Sequence, residues 1–526
     1  MHPKICKVEF MLTCQILVRF WCKYPALLYG VAVILGLYSF FCGPLPLLIP
    51  IMGLWLPFLI SIYFGRIFLW KPLLLSFTLF CACWSYAALY YVIPNPPKEG
   101  IKGLAYVSIE SIHTRRSFFG SKWVYRCQLN HFYPESHPLQ SIAGNIKCIV
   151  AFPDRMINRP PAHHDYLIPA TLIKTDQNLF ILKISTLSPW KAVQGSWSIA
   201  EGRYQWKKQV QDKINGYFSD PLSAIFLGGL ATGDFDDQWL RGEFARFGLQ
   251  HIMAISGFHF AIVMGILSLL SRFFLSRKRC AWLLLFLMGG YAFFLGANPS
   301  IMRAWIMCTL VIVGFLIEKN ARSLNSLGIA LIAVALYDPL LCRTMGFQFS
   351  FLTTAAILLI YAPLNHYLGH VFIQRPLGEV VEMNACNQHG YCILAFFKQG
   401  LALMCAVNLF AFPLTLYYFH QFPWISLFYN LFFPFLISVS MGLLIFGFMT
   451  AWIPLLGTTI HSLNNLYTQR ALKLTYGLPK ALDHYATIEN FPAELLVVYL
   501  TFMLIAGIVC SEKNSEADNE FGIRIF

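Results

Sequence analysis

Two histidines and a serine stand within "HIMAISGFHF", residues 251–260 of an otherwise apolar stretch. Imidazoles are costly in hydrocarbon, so polar side chains inside such runs are the first candidates for chemistry. The same apolar background makes the others easy to find. "GGLATGDFDDQ" carries Asp234, Asp236 and Asp237, and "GANPSIMRAWIMC" places Arg303 one turn into a span. "ALYDPLLCRTMGFQFSF" holds Asp338, Gln348 and Ser350, and Asn408 and Asn430 sit in later apolar segments.

On one helix, His251, Ile255 and His259 would stack at i, i+4 and i+8, with Ser256 a turn from His259. Eight residues of helix separate the imidazoles by about 12 Å, too far for one metal ion. A metal site would need one histidine plus acids from elsewhere, such as Asp234; otherwise the histidines are interfacial or satisfied by their own helix. Gly257 allows a helix or substrate to approach the backbone closely. Arg303 reads either as a snorkelling interfacial residue or as a cation facing a polar lumen, within reach of a phosphate backbone. Asp338-Pro339 reads as a turn ending one span, with Gln348 and Ser350 opening the next. Taken together, these polar residues suggest a lined cavity or channel. There is no G-x-x-x-x-G-K-[ST], no H-E-x-x-H and no H-x-H-x-D-H, and "AHHDY" at 162–166 has the wrong spacing for a metal site. No catalytic residue, metal or cofactor is expected.

The elements that must position these residues follow from composition. Of 526 residues, 57% are hydrophobic and 12% charged, and the mean hydropathy is +0.58. That balance defines a polytopic α-helical membrane protein. Residues 1–93 read as an N-terminal anchor of about three spans, near 26–42, 45–64 and 72–93, with no cleavage site, so the first span is expected to be retained. Residues 94–200 change character. "SKWVYRCQLN" alternates, with Trp123, Tyr125, Cys127 and Leu129 on one face, and "NIKCIVAF", "LFILKIS" and "GLAYVSIESI" are also β-rich. This inserted all-β domain suits a small OB-like barrel, with a small sandwich as the alternative. In the linker 201–220, Trp206, Val210, Ile214 and Phe218 recur at i+4 among basic residues. It is either a membrane-surface helix or a soluble helix packed under the β domain. Residues 221–511 form a second membrane zone and 512–526 a polar tail. Within that zone, 424–456 fits two short spans or one span with a re-entrant piece.

Charge sets the expected orientation. Lys4, Lys7, Arg19 and Lys23 precede the first span, Arg66 and Lys71 follow the second, and Arg272, Arg277, Lys278, Arg279, Lys319 and Arg322 flank later ones. Placing these clusters inside puts the N-terminus in the cytoplasm and the β domain outside the inner membrane. The formal net charge is +14 with pI ≈ 9.1, and residues 94–220 hold 16 Lys and Arg against 9 Asp and Glu. The excess beyond loop charge is available to an anionic partner, nucleic acid or lipid headgroups. With Trp123, Tyr125, Phe118 and Phe119 nearby, the β domain suits a weak, sequence-indifferent grip on a single strand; Trp123 and Tyr125 as barrel core is the competing reading. Most of the 15 cysteines read as small core residues. Cys127 and Cys148 are the only ones in the external zone, and read either as a disulfide or as two buried thiols.

The segment "GLATGDFDD" followed by "FARFGLQHIMAISGFHFAIVMG" resembles the signature of the ComEC competence family, and "PSIMRAWIM" and "ALYDPLLCRTMGFQFSF" resemble its next two elements in order. "FPLTLYYFHQFPWISLFYNLFFPF" is similar to a later span pair. The resemblance implies an inner-membrane channel for uptake of single-stranded transforming DNA, without sequence specificity. It also implies pore-lining roles for Asp234, His251, Ser256, His259, Arg303, Gln348 and Ser350. Gly257, Pro299, Asp338, Pro339, Gly346 and Asn430 would shape helix ends and packing. No metallo-β-lactamase-like domain follows the last span here, so a separate nuclease and a cytosolic ATP-driven translocase are expected partners. An extracytoplasmic DNA-binding receptor and the lipid bilayer complete the set, with a homo-oligomer left open. The alternatives are a membrane-embedded metalloenzyme and a transporter of an anionic envelope precursor.

Overall fold

The computed structural model describes residues 3–520 except 44, 95, 98, 118–119, 153–158, 176–179, 185–189, 256, 373–374, 376, 478 and 480–482. Ser256, Phe118 and Phe119 therefore lie outside the described residues. Among those described, eight helices are long and apolar enough to cross a membrane: Pro25–Cys42, Ile67–Tyr90, Arg277–Leu295, Pro299–Leu316, Met345–Val371, Ala385–Phe419, Ile425–Met449 and Ala493–Ser515. Leu48–Tyr63, Pro221–Thr232, Gly257–Ser271 and Ser323–Tyr337 are shorter apolar helices. The run 424–456 holds one 25-residue helix, Ile425–Met449, followed by the start of Pro454–Tyr476.

The chain divides into two compact units. One comprises Met1–Trp84, Met302–Pro434 and Lys480–Phe526. In it, helices Pro25–Cys42 and Ser323–Tyr337 meet backbone to backbone. A Cβ on Gly328 would lie 2.3 Å from the Ala26 carbonyl oxygen, and one on Gly30 would lie 2.8 Å from that of Gly328. Helices with no water to expel between them gain chiefly from such close approach, which small residues permit.

The other unit comprises Ser85–Ile301 and Phe435–Pro479. Its β domain has strands β1 (Ile101–Ser117), β2 (Gly120–Pro134), β3 (Ala143–Ala151), β4 (Tyr166–Lys174), β5 (Phe180–Ile184) and the two-residue β6 (Lys191–Ala192). The order is β1-β2-β3-β5-β4, and β1 pairs again with β4, so five strands close into a barrel. The β3–β5 pairing is parallel and the others antiparallel. This is OB-like connectivity, and it decides against a sandwich. Register shifts in β1 at Tyr106/Val107 and Ile109/Ser111 let one long strand bend enough to serve both neighbours. The alternation read from the sequence holds: Tyr125, Cys127 and Leu129 are fully buried, and Trp123 packs against the same core. Cys127 and Cys148 stand opposite one another in the β2–β3 register, and both are buried free thiols rather than a formed disulfide.

The linker forms helix Ala200–Tyr217, packed on the barrel as a soluble helix would be. Ala200 belongs to the barrel core, Tyr204 packs against it, and Lys207 and Ile214 are buried. Trp206 stays on the exposed face.

Candidate functional site

In the barrel-containing unit the site is built on the "TGD" turn. Gly233 ends helix Pro221–Thr232 in the left-handed region (φ +78), where a side chain would be strained. Phe235 fills the space left open by Gly229, and Asp234 is turned towards the barrel. The three acids then do three different things. Asp234 Oδ2 accepts from Lys207 Nζ at 3.0 Å, while its Oδ1 lies 3.3 Å from His113 Nδ1 on β1. Asp236 accepts from the Thr114 hydroxyl at 2.9 Å, and Asp237 caps helix Gln238–Arg246 by accepting from the Leu240 N–H at 2.8 Å. Lys207 also donates to the Leu295 carbonyl, the last of helix Arg277–Leu295, at 3.0 Å, and Arg203 donates to that of Phe293. Barrel strand, linker helix, acidic turn and span end are thus joined through one lysine and one aspartate. Burial alone would raise the Asp234 pKa; the His113 and Lys207 contacts outweigh it and hold the carboxyl below its ordinary value. The polar pocket between His113, Thr114, Lys207, Asp234 and Asp236 is about 10 Å³, room for no more than about one water.

The opening motif departs from the expected single helix. Gln250–Met253 is one turn, the chain extends at Ala254, and a new helix runs Gly257–Ser271. Ile255 explains the break: it is buried and lies where a Gly233 side chain would stand. His251 is consequently exposed, its Nδ1 3.2 Å from the Gly248 carbonyl, whereas His259 is buried. The two do not form one helical face. Among the described residues no three His, Cys, Asp or Glu are grouped to hold a metal.

In the other unit, Arg303 is buried on helix Pro299–Leu316, whose first residue is Pro299. Its Nε donates to the Ser350 hydroxyl at 2.7 Å and its Nη1 to the Thr354 hydroxyl. Both hydroxyls lie on helix Met345–Val371, one turn apart, and Thr354 donates onward to the Ser350 carbonyl at 2.8 Å. Gln348 lies roughly 200° around that helix from Ser350, on the opposite side. Its amide donates to the Tyr38 hydroxyl at 2.9 Å and accepts from the Tyr418 hydroxyl at 2.8 Å. Asp338 accepts from the Leu340 N–H and starts the short turn Pro339–Arg343, as the span-ending reading requires. Gly346 lies in the first turn of Met345–Val371, in open space. The Asn430 carbonyl oxygen of the side chain is buried with no partner among the described residues, one turn before Pro434.

Sequence reasoning missed His113, Lys207, Thr354 and Lys398. Thr354 was within reach of the i+4 rule from Ser350. Lys207 is one of the basic residues lying off the apolar i+4 stripe of the linker helix, and its pattern does not mark it as buried. Lys398 is buried on helix Ala385–Phe419 and has no hydrogen bond or ion pair among the described residues.

A helical protein with eight potential spans and an inserted OB-like barrel, its polar residues drawn to two helix-end motifs, is the class these observations define. Residues 232–513, more than half of the chain, match the family model described as Competence protein, and the chain belongs to that family as a multi-pass membrane protein. It is similar to ComE operon protein 3 of Bacillus subtilis (strain 168), 26% identical over 316 residues, which are 56% of this chain and 35% of that protein. The match thus spans about a third of that relative's length. No solved structure matches.

Proposed function

We propose that this protein is an inner-membrane channel for uptake of single-stranded DNA in natural competence, non-sequence-specific and driven by an external motor. The observation that carries this reading is the family match across 232–513, which takes in every polar motif of the helical region. The barrel supports it: OB-like barrels hold single strands through cationic grooves and aromatic faces, and residues 94–220 carry a net positive charge. Arg303, held by Ser350, is the residue assigned here to meet the strand. Asp234 contributes by fixing the barrel to the span end through Lys207. A separate nuclease, an ATP-driven translocase and an external DNA receptor complete the pathway. Deleting the gene and following labelled DNA tests the reading. Label should bind the cell surface and fail to reach the cytosol, and undiminished cytosolic entry would remove the proposal.

A further inference from the structure

Two cations sunk in the barrel-containing unit each sit on a carboxylate: Arg159 on Glu201, and Lys207 on Asp234. Arg303, which lies in a membrane-spanning helix where an uncompensated charge is costlier, has none among the described residues. Its two described partners are the Ser350 and Thr354 hydroxyls, which supply hydrogen bonds but no charge. Lys398 likewise has no carboxylate among the described residues, and no such cradle among them.

The cradle has a direction. Thr354 spends its own proton on the Ser350 carbonyl, so its oxygen is left to accept from Arg303. With Nε and Nη1 held, the guanidinium plane is fixed, and Nη2 has no partner among the described residues. A guanidinium presents five N–H donors in a rigid fork suited to phosphate oxygens. A fixed fork that lacks a counter-charge and keeps an uncommitted edge is built to receive an anion from outside the chain.

We propose that Arg303, oriented by Ser350 and Thr354, is a single phosphodiester-binding subsite on the path of the strand. The inference rests on the DNA-uptake reading and names one contact within it. A lipid headgroup would offer the same phosphate chemistry, and the test separates the two sources.

The full chain in detergent is titrated with a fluorescent oligo-dT over a range of salt concentrations. Each phosphate contact adds about 0.7 to the slope of log K against log salt for a single strand. Arg303→Gln should therefore flatten the slope by about 0.7, one contact's share. Arg303→Lys keeps the charge and should keep the slope, with weaker binding because an ammonium cannot span both hydroxyls. Ser350→Ala with Thr354→Val should also keep the slope while weakening affinity several-fold. An unchanged slope in Arg303→Gln overturns the subsite, and is the result a lipid-phosphate role would give. Equal flattening in the Gln and Lys variants overturns it too, since charge would then not be the cause. Failure of the unsubstituted chain to bind oligo-dT at all removes the DNA-uptake reading itself.

Discussion

At the scale of single residues, the chain separates charges paired within the fold from charges that meet no opposite charge among the described residues. Glu201 is the clearest of the first kind. Arg159 grips it through both oxygens at 2.6 and 2.7 Å, the Ala162 N–H adds a third bond, and Trp123 and Tyr204 lie against the guanidinium. Burial works against its ionisation, but the Arg159, Gln205 and Ala162 hydrogen bonds outweigh that and hold its pKa at about 2 instead of 4.5. The stabilisation from this carboxylate is therefore complete above about 4.5, declines as pH falls, and is gone below about 2. Hydrogen exchange of the barrel strands should accelerate through that window, and Glu201→Gln should remove this component of the pH dependence. Because Glu201→Gln leaves the half-buried Arg159 without its counter-charge, it should also cost about 1–3 kcal/mol at neutral pH. Tyr125, whose hydroxyl donates to the Pro160 carbonyl at 2.5 Å and accepts from Arg159, belongs to the same buried network. This places Tyr125 in the core rather than on a stacking surface. Lys207→Met should leave Asp234 with His113 alone and open the end of helix Arg277–Leu295. Faster exchange should then appear at β1 and at that helix end, with strands β3 and β5 unaffected; uniform loss of protection would argue against a local joint.

Among the elements, the close helix contacts provide a direct comparison. A methyl group on Gly328 would overlap the Ala26 backbone, which cannot move without displacing helix Pro25–Cys42. Gly328→Ala should therefore lower the thermal midpoint of the purified protein, at a cost of about 1–3 kcal/mol. Gly390→Ala, in open space on helix Ala385–Phe419, should be neutral or gain up to about 1 kcal/mol from helix propensity. A Gly328→Ala midpoint equal to that of Gly390→Ala would mean these helices do not pack through their glycines. The barrel strands and span positions were legible because hydrophobic alternation and run length are local signals. The break after Met253 was not, because it depends on Ile255 occupying the space beside Gly233, a contact between distant positions. The joint at Lys207 was hidden for the same reason: basic periodicity alone cannot distinguish a lysine facing water from one facing an aspartate 27 residues away. Gln348 and Ser350 looked like one polar feature in sequence. Helix geometry sends them to opposite sides, one to a pair of tyrosines and the other to Arg303.

For the whole molecule, the formal charge of +14 is informative only through its distribution. Basic residues cluster at Arg66 and Lys71, at Arg272–Arg279 and at Lys319–Arg322, between apolar helices, which is the pattern of loops retained on the cytoplasmic side. The barrel also carries excess positive charge, but it is a folded domain, and long folded segments cross a membrane largely regardless of charge. We propose that its side is set by the short flanking loops: Arg66 and Lys71 precede the helix that leads into it, which predicts a barrel outside. Two epitope insertions test this arrangement without disturbing either fold. Leu139, in the turn after β2, is 99% exposed. The loop at Lys319–Arg322 joins helices Pro299–Leu316 and Ser323–Tyr337 and is also exposed. In spheroplasts, antibody should reach an epitope at Leu139 without permeabilisation, and one at Asn320 only after it. The reverse pattern would place the barrel in the cytoplasm, and on the proposed uptake reading it could then meet a strand only after entry. Both epitopes accessible from outside would mean that an even number of the segments between Leu139 and Asn320 cross, as when both or neither of the shorter apolar helices Pro221–Thr232 and Gly257–Ser271 do so alongside Arg277–Leu295 and Pro299–Leu316.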